Sequence, residues 1–120
     1  MAQGHAIQRH VRQSPRKMRL VIDLIRGKDV NEAIGILKFN KRLAAKQIAK
    51  TLKSAVSNAE QKAMKENERF DADELVVARA TVNGGTPLKR IHAAAQGRAT
   101  PIKKRTSHMT IELTTTANGR

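Results

Sequence analysis

Leu75-Val-Val-Ala-Arg-Ala-Thr-Val82 and Thr106-Ser-His-Met-Thr-Ile-Glu-Leu113 are two runs rich in β-branched residues, separated by the 23 residues from Asn83 to Arg105. Both runs read as strands, and their spacing decides the fold. A 23-residue connection is too long for a hairpin turn, and Leu88, Ile91 and Ile102 are too few to build a core within it. Gly84, Gly85 and Pro87 on one side, and Gly97 and Pro101 on the other, lie nearly symmetrically about Ala93-Ala94-Ala95. The symmetry predicts a ribbon folded back about that centre, reaching on the order of 35 Å at ~3.3 Å per residue. The flanking runs are then antiparallel strands of one sheet from which a long hairpin projects.

Upstream of the sheet the pattern turns helical. Ser14-Pro15 is an N-cap followed by proline at the first helical position, and Gly27 is a stop, so a helix is expected over Pro15 to Arg26. Met18, Val21, Ile22 and Ile25 make its apolar stripe, with Arg16, Arg19, Asp23 and Arg26 on another face. Asn31 is the expected cap of a second helix, Glu32 to Phe39, with Ile34 and Leu37 as its buried pair. Asn40 is the expected cap of a third, Lys41 to about Lys65. There Ile48, Leu52, Ala55, Ala59 and Ala63 share one stripe, and Arg42, Lys46, Lys50 and Lys53 the opposite one. Its alanines suggest close approach to another element. Before the helices, His5 to Gln13 alternates like a short strand with Ile7 and Val11 on one side. Asn67 to Asp73 is an acidic connector, and Thr114 to Arg120 a loose polar tail.

The expected architecture is an α+β domain spanning residues 1–120. A small three-helix domain packs on a short antiparallel sheet, and one long β-hairpin protrudes at about 83–105.

Charge narrows the function. The chain holds 24 Lys and Arg against 10 Asp and Glu, a net +14. Such an excess strains the compact state and suits a polyanionic partner. Much of the 39% hydrophobic share is alanine, and Leu, Ile, Val and Phe together make only about a fifth of the chain. That is close to the roughly 20% level at which highly charged chains lose their core. Between Leu75 and Ile111 there is no acid, while Arg79, Lys89, Arg90, Arg98, Lys103, Lys104 and Arg105 are present. One basic helix face is ordinarily just a solvated surface. Two such faces and an acid-free ribbon of the same sign describe a phosphate-binding surface.

Other classes have less support. Phe39 and Phe70 are the only aromatic rings of the Phe, Tyr and Trp type, so a paired-aromatic platform for bases is excluded. His5, His10, His92 and His108 fall in no metal-ligand spacing, and no catalytic arrangement appears, so neither enzyme, metal nor cofactor is expected. The absence of cysteine, and of any apolar run long enough to span a bilayer, makes the cytoplasm the expected compartment. A membrane-surface role for the third helix is weakened by its alanine-rich stripe.

Four stretches carry a resemblance. Ser14-Pro-Arg-Lys-Met-Arg-Leu-Val-Ile-Asp-Leu-Ile-Arg-Gly-Lys28, Ser54-Ala-Val-Ser-Asn-Ala-Glu60, Leu88-Lys-Arg-Ile91 with Gly97-Arg-Ala99, and Lys104-Arg-Thr-Ser-His-Met-Thr110 follow one another in order and spacing. In these the chain resembles the bacterial family of large ribosomal subunit protein twenty-two, over roughly residues 6 to 113. The resemblance implies a cytoplasmic ribosomal protein that binds large-subunit ribosomal RNA, contacts neighbouring ribosomal proteins and supports subunit assembly. It also implies a β-hairpin lining the tunnel traversed by the nascent polypeptide, where changes alter macrolide sensitivity.

The residues expected to meet RNA are Arg9, Arg12, Arg16, Lys17, Arg19, Lys46, Lys50, Lys89, Arg90, Arg98, Lys103, Lys104, Arg105, Thr106 and His108. The expected hairpin tip is Leu88, Lys89, Arg90, Ile91, His92, Ala93, Ala94, Ala95 and Gln96. Here the chain departs from the family, which usually carries a Pro-Arg pair where His92-Ala-Ala-Ala-Gln96 stands. The alternative is an architectural DNA-binding protein with a basic β-arm. Such proteins usually pair arms across a dimer axis, whereas no homo-oligomer is expected from one ribbon without a dimer seam.

Overall fold

A computed structural model describes residues 3–67 and 69–115. The order is β1 (Gly4–Val11), α1 (Pro15–Ile22), α2 (Val30–Phe39), α3 (Leu43–Lys65), β2 (Leu75–Gly84), β3 (Leu88–Ala93), β4 (Ala99–Lys104) and β5 (Ser107–Thr115). The antiparallel sheet runs β1-β5-β2, and β3 pairs with β4 as a separate ribbon. The architecture is the expected α+β one, drawn out to 67 × 27 × 19 Å.

β5 organises the sheet because it pairs with both neighbours, and its sequence alternates accordingly. Ser107, Met109, Ile111 and Leu113 are buried while the residues between them are half-buried. Its inner face meets Met18, Val21, Ile22 and Ile25 from the first helical segment and Ile48 and Leu52 from α3 in one core. The strand continues through Thr114 and Thr115, which were expected in the loose tail; residues 116–120 of that tail lie outside the described residues, as does Glu68 of the acidic connector.

Each outer strand carries a bulge. In β1 the register with β5 slips between Gln8 and Val11, and His10 adopts φ 58°. The extra residue reverses which side faces inward, so Ala6 and Val11 are buried and Ile7 is 50% exposed. The expected pairing of Ile7 with Val11 is corrected on that ground. In β2 the register slips between Val77 and Arg79.

The helices form where expected with shifted ends. Regular α1 stops at Ile22 rather than Arg26, because the chain tightens into three-residue turns that bring the Gly27 N–H onto Val77 O (3.0 Å). Ser14 caps it, its Oγ accepting from the Lys17 N–H at 3.4 Å. α2 starts at Val30 with Asp29 at the cap position, while Asn31 donates through Nδ2 to Asp73 Oδ1 (2.7 Å). It buries Val30, Ala33 and Leu37, leaving Ile34 37% exposed, which corrects the expected Ile34–Leu37 pair. α3 starts at Leu43 with Arg42 at the cap position, so Asn40 is not its cap. The expected α3 stripe of Ile48, Leu52, Ala55, Ala59 and Ala63 is buried throughout.

The alanines of that stripe have a partner. A Cβ added to Gly4 would lie 2.5 Å from Ala55 O and 2.6 Å from Ala59 Cβ, so β1 rests directly on α3. Polar links fasten the same contact, with Thr51 Oγ1 donating to Gln8 Oε1 (2.7 Å) and Asn58 Nδ2 to His5 O (2.8 Å).

The ribbon joins the sheet without losing its hydrogen bonds. The Gly85 N–H donates to Thr106 O (2.9 Å), and Thr106 Oγ1 donates to Thr86 O (2.8 Å). The register Leu88↔Lys104 through Ala93↔Ala99 centres the fold-back on Gln96, not on the expected Ala94. Gln96 (φ 61°) and Gly97 (φ 71°) both occupy the left-handed region. Glycine enters that region freely and alanine does not, so the turn settles at the glycine.

Two tests follow from this geometry. Gly4→Ala should destabilise the protein by about 1–3 kcal/mol through overpacking, whereas Gly35→Ala, inside α2 with open space at its Cβ position, should stabilise it by about 0.5–1 kcal/mol. Urea titrations of the two variants check the opposite signs. In the ribbon, Lys89 stands opposite Lys103, and like charges directly opposed destabilise a strand pair. Lys103→Glu should therefore slow amide exchange across β3 and β4 in free protein, and unchanged or faster exchange would rule out a destabilising repulsion across the ribbon.

Candidate nucleic-acid interface

Three sequence-distant segments converge where the ribbon leaves the domain. The end of β1 and the start of α1 supply Arg12, Gln13, Ser14 and Lys17, α3 supplies Leu43, and the returning arm supplies Lys103, Lys104 and Arg105. Together they line a cleft of about 520 Å³ in which five of the eight lining residues are cationic and none is acidic. The ion pairs Arg26–Asp23 (2.7 Å) and Lys28–Glu32 (4.0 Å) involve none of these cations. Arg12, Lys17, Lys103, Lys104 and Arg105 are all exposed, so their charge acts outward.

Chemically, such a cleft is suited to a phosphate group. Arginine offers a planar fork to two phosphate oxygens, lysine a point charge, and low-dielectric walls concentrate the field of both. Gln13 adds a buried Oε1 without a hydrogen-bond partner in the structure, an acceptor among donors. Gln13, Ser14 and Leu43 were not among the expected site residues. Gln13 immediately precedes the Ser14 cap, the one sequence signal that placed it near the start of α1.

The other expected RNA-contacting residues divide into three groups. Arg9 and Arg16 are exposed and flank Arg12 and Lys17 in sequence without lining the cleft, and Lys46 and Lys50 lie on the outer face of α3. Lys89, Arg90 and Arg98 are on the ribbon, where Arg90 Nη1 donates to Lys89 O (2.9 Å). The remaining three are engaged within the fold. Arg19 donates through Nε (3.1 Å) and Nη2 (2.8 Å) to Val82 O. Thr106 is buried at the ribbon junction, and His108 Nδ1 accepts from the His10 N–H (3.2 Å), the two rings meeting edge to face at 5.0 Å.

Arg26 repeats the Arg19 contact one step along the strand, donating to Ala80 O through Nε (3.1 Å) and Nη2 (2.7 Å). β2 is an edge strand, and these two guanidinium groups cover its outward carbonyls. Of the expected tip residues, Leu88 to Ala93 form a whole arm and Ala94 to Gln96 begin the turn; Leu88 sits at the root, paired with Lys104, and Ile91 near the end is 79% exposed.

The family described as Ribosomal protein L22p/L17e matches residues 6–114. Large ribosomal subunit protein uL22 of Oceanobacillus iheyensis is 50% identical over 117 residues, covering 98% of this chain and 99% of the relative. The proteins of the same name from Bifidobacterium longum and Desulfitobacterium hafniense are each 50% identical, over 109 residues (91% of this chain, 92% of the relative) and 111 residues (92% and 93%). With a match across nearly the whole sheet, helices and ribbon, the chain belongs to the Ribosomal protein L22p/L17e family.

Proposed function

We propose that this protein is a non-catalytic structural constituent of the large ribosomal subunit. It binds large-subunit ribosomal RNA through phosphate contacts, supports subunit assembly in the cytoplasm beside neighbouring ribosomal proteins, and lines the path of the nascent polypeptide with its β3–β4 ribbon. The observation that carries the reading is the acid-free cleft, where Arg12, Lys17, Lys103, Lys104 and Arg105 converge from both ends of the sequence. The names of its relatives support the same assignment. Membership of a ribosomal protein family favours RNA over the duplex-DNA alternative.

The RNA contact set is Arg9, Arg12, Arg16, Lys17, Lys46, Lys50, Lys89, Arg90, Arg98, Lys103, Lys104 and Arg105, with Arg19, Thr106 and His108 holding the surface in shape as well. Anchoring and tunnel lining belong to different parts. The cleft lies at the ribbon root, against the domain, and the turn at Ala94 to Arg98 lies at the far end of the arms.

Reversing Arg12, Lys17, Lys104 and Arg105 to Glu should block incorporation of the tagged protein into large subunits sedimented at high salt, because each change replaces phosphate attraction with repulsion. Deleting Leu88, Lys89 and Arg90 removes no fully buried side chain, so that variant should still incorporate while altering macrolide response. Incorporation of the fourfold reversal together with exclusion of the deletion variant would refute this division of labour.

A further inference from the structure

Phe39 ends α2 at the corner leading into α3, and it is 82% exposed, more than any other large apolar residue described. A phenyl ring in water forgoes the gain of burial, so its face is open to a contact outside the chain. Leu43, at the first position of α3, is 62% exposed and also lines the cationic cleft, which makes the corner continuous with it. The corner is held by its own hydrogen bonds: the Asn40 N–H donates to Leu37 O (3.4 Å) and the Arg42 N–H to Asn40 Oδ1 (2.9 Å).

The surroundings select the partner. Between Glu32 and Glu60 the sequence contains no acid, whereas Lys38, Lys41, Arg42, Lys46, Lys50 and Lys53 are all exposed. Lys41, Arg42 and Lys46 stand near the positive end of the α3 dipole, where cations are unfavourable until an anion arrives. An exposed aromatic ring with Lys38, Lys41 and Arg42 within three residues of it in the chain matches the two parts of a nucleotide, a flat base and a phosphate.

We propose that an unpaired RNA base stacks on Phe39 while its neighbouring phosphates are held by Lys38, Lys41 and Arg42. The inference rests on the RNA-binding reading above and adds to it a contact that senses strand structure. A lone phenyl ring offers a stacking face without hydrogen bonds, so it accepts any base turned out of a helix and none that remains paired.

The test uses the full chain and two synthetic RNAs, a fully paired duplex and the same duplex carrying a three-adenine bulge. The sequence has no tryptophan, so Phe39→Trp supplies a single fluorophore at the site, and the bulged RNA should quench it while the paired RNA does not. Phe39→Leu keeps an apolar side chain but loses the ring; it should weaken binding to the bulged RNA by roughly 5- to 150-fold, the equivalent of one base stack, and leave the paired duplex unaffected. If the wild-type protein binds both RNAs and Phe39→Leu changes neither affinity, the stacking contact is wrong and Phe39 serves a protein neighbour instead. If the wild-type protein binds neither RNA, the RNA-binding reading falls and this inference falls with it.

Discussion

Repulsion among cations that the chain cannot neutralise for itself governs this structure. With 24 basic and 10 acidic side chains, internal pairing was never going to balance the sum, and the fold does little to improve it. Asp23 and Glu32 are spent on local partners in the first half of the chain, and Asp71, Asp73 and Glu74 cluster between α3 and β2. The cleft and ribbon are left with one sign of charge. Lys89 facing Lys103 across the ribbon is the clearest instance, since two opposed ammonium groups oppose the pairing that creates them. A phosphate backbone between such groups turns the same arrangement from a cost into an attraction.

The domain tolerates that repulsion because its core is economical. α3 presents alanines where β1 crosses it, so the two backbones approach closely and the thin supply of large apolar residues is reserved for the contact between α1, α3 and the sheet. Arginine serves two purposes in the same scaffold. At Arg19 and Arg26 the guanidinium closes the open edge of β2 by donating to successive outward carbonyls, and at Arg12 and Arg105 it faces the cleft. The first pair blocks edge-to-edge pairing with another sheet, and the second leaves its charge open to an anionic partner.

Periodicity made most of the fold legible in the sequence. The buried stripe of α3 and the alternation in β5 follow directly from spacing, and the composition of the 23-residue connection marks it as a ribbon. What escaped depended on tertiary contacts. The bulge at His10 reverses the inward side of β1, and that reversal is set by pairing with β5. Asn31 and Asn40 are both good cap residues, yet Asn31 bonds to Asp73 and Asn40 sits two residues ahead of the cap position of α3. At the site, the sign and abundance of charge were visible, but the convergence of Arg12 and Lys17 with Lys103 to Arg105 was not, because they lie at opposite ends of the chain. Nor does a sequence distinguish Arg16, which is exposed, from Arg19, whose fork is committed to a backbone carbonyl.

Whether phosphate neutralisation dominates RNA binding is measured most directly by the salt dependence of affinity for large-subunit ribosomal RNA. With roughly six to ten phosphates engaged, affinity should fall on the order of 10³-fold or more between about 50 and 200 mM salt, linearly on logarithmic axes. An affinity that stays level across that range would contradict the account.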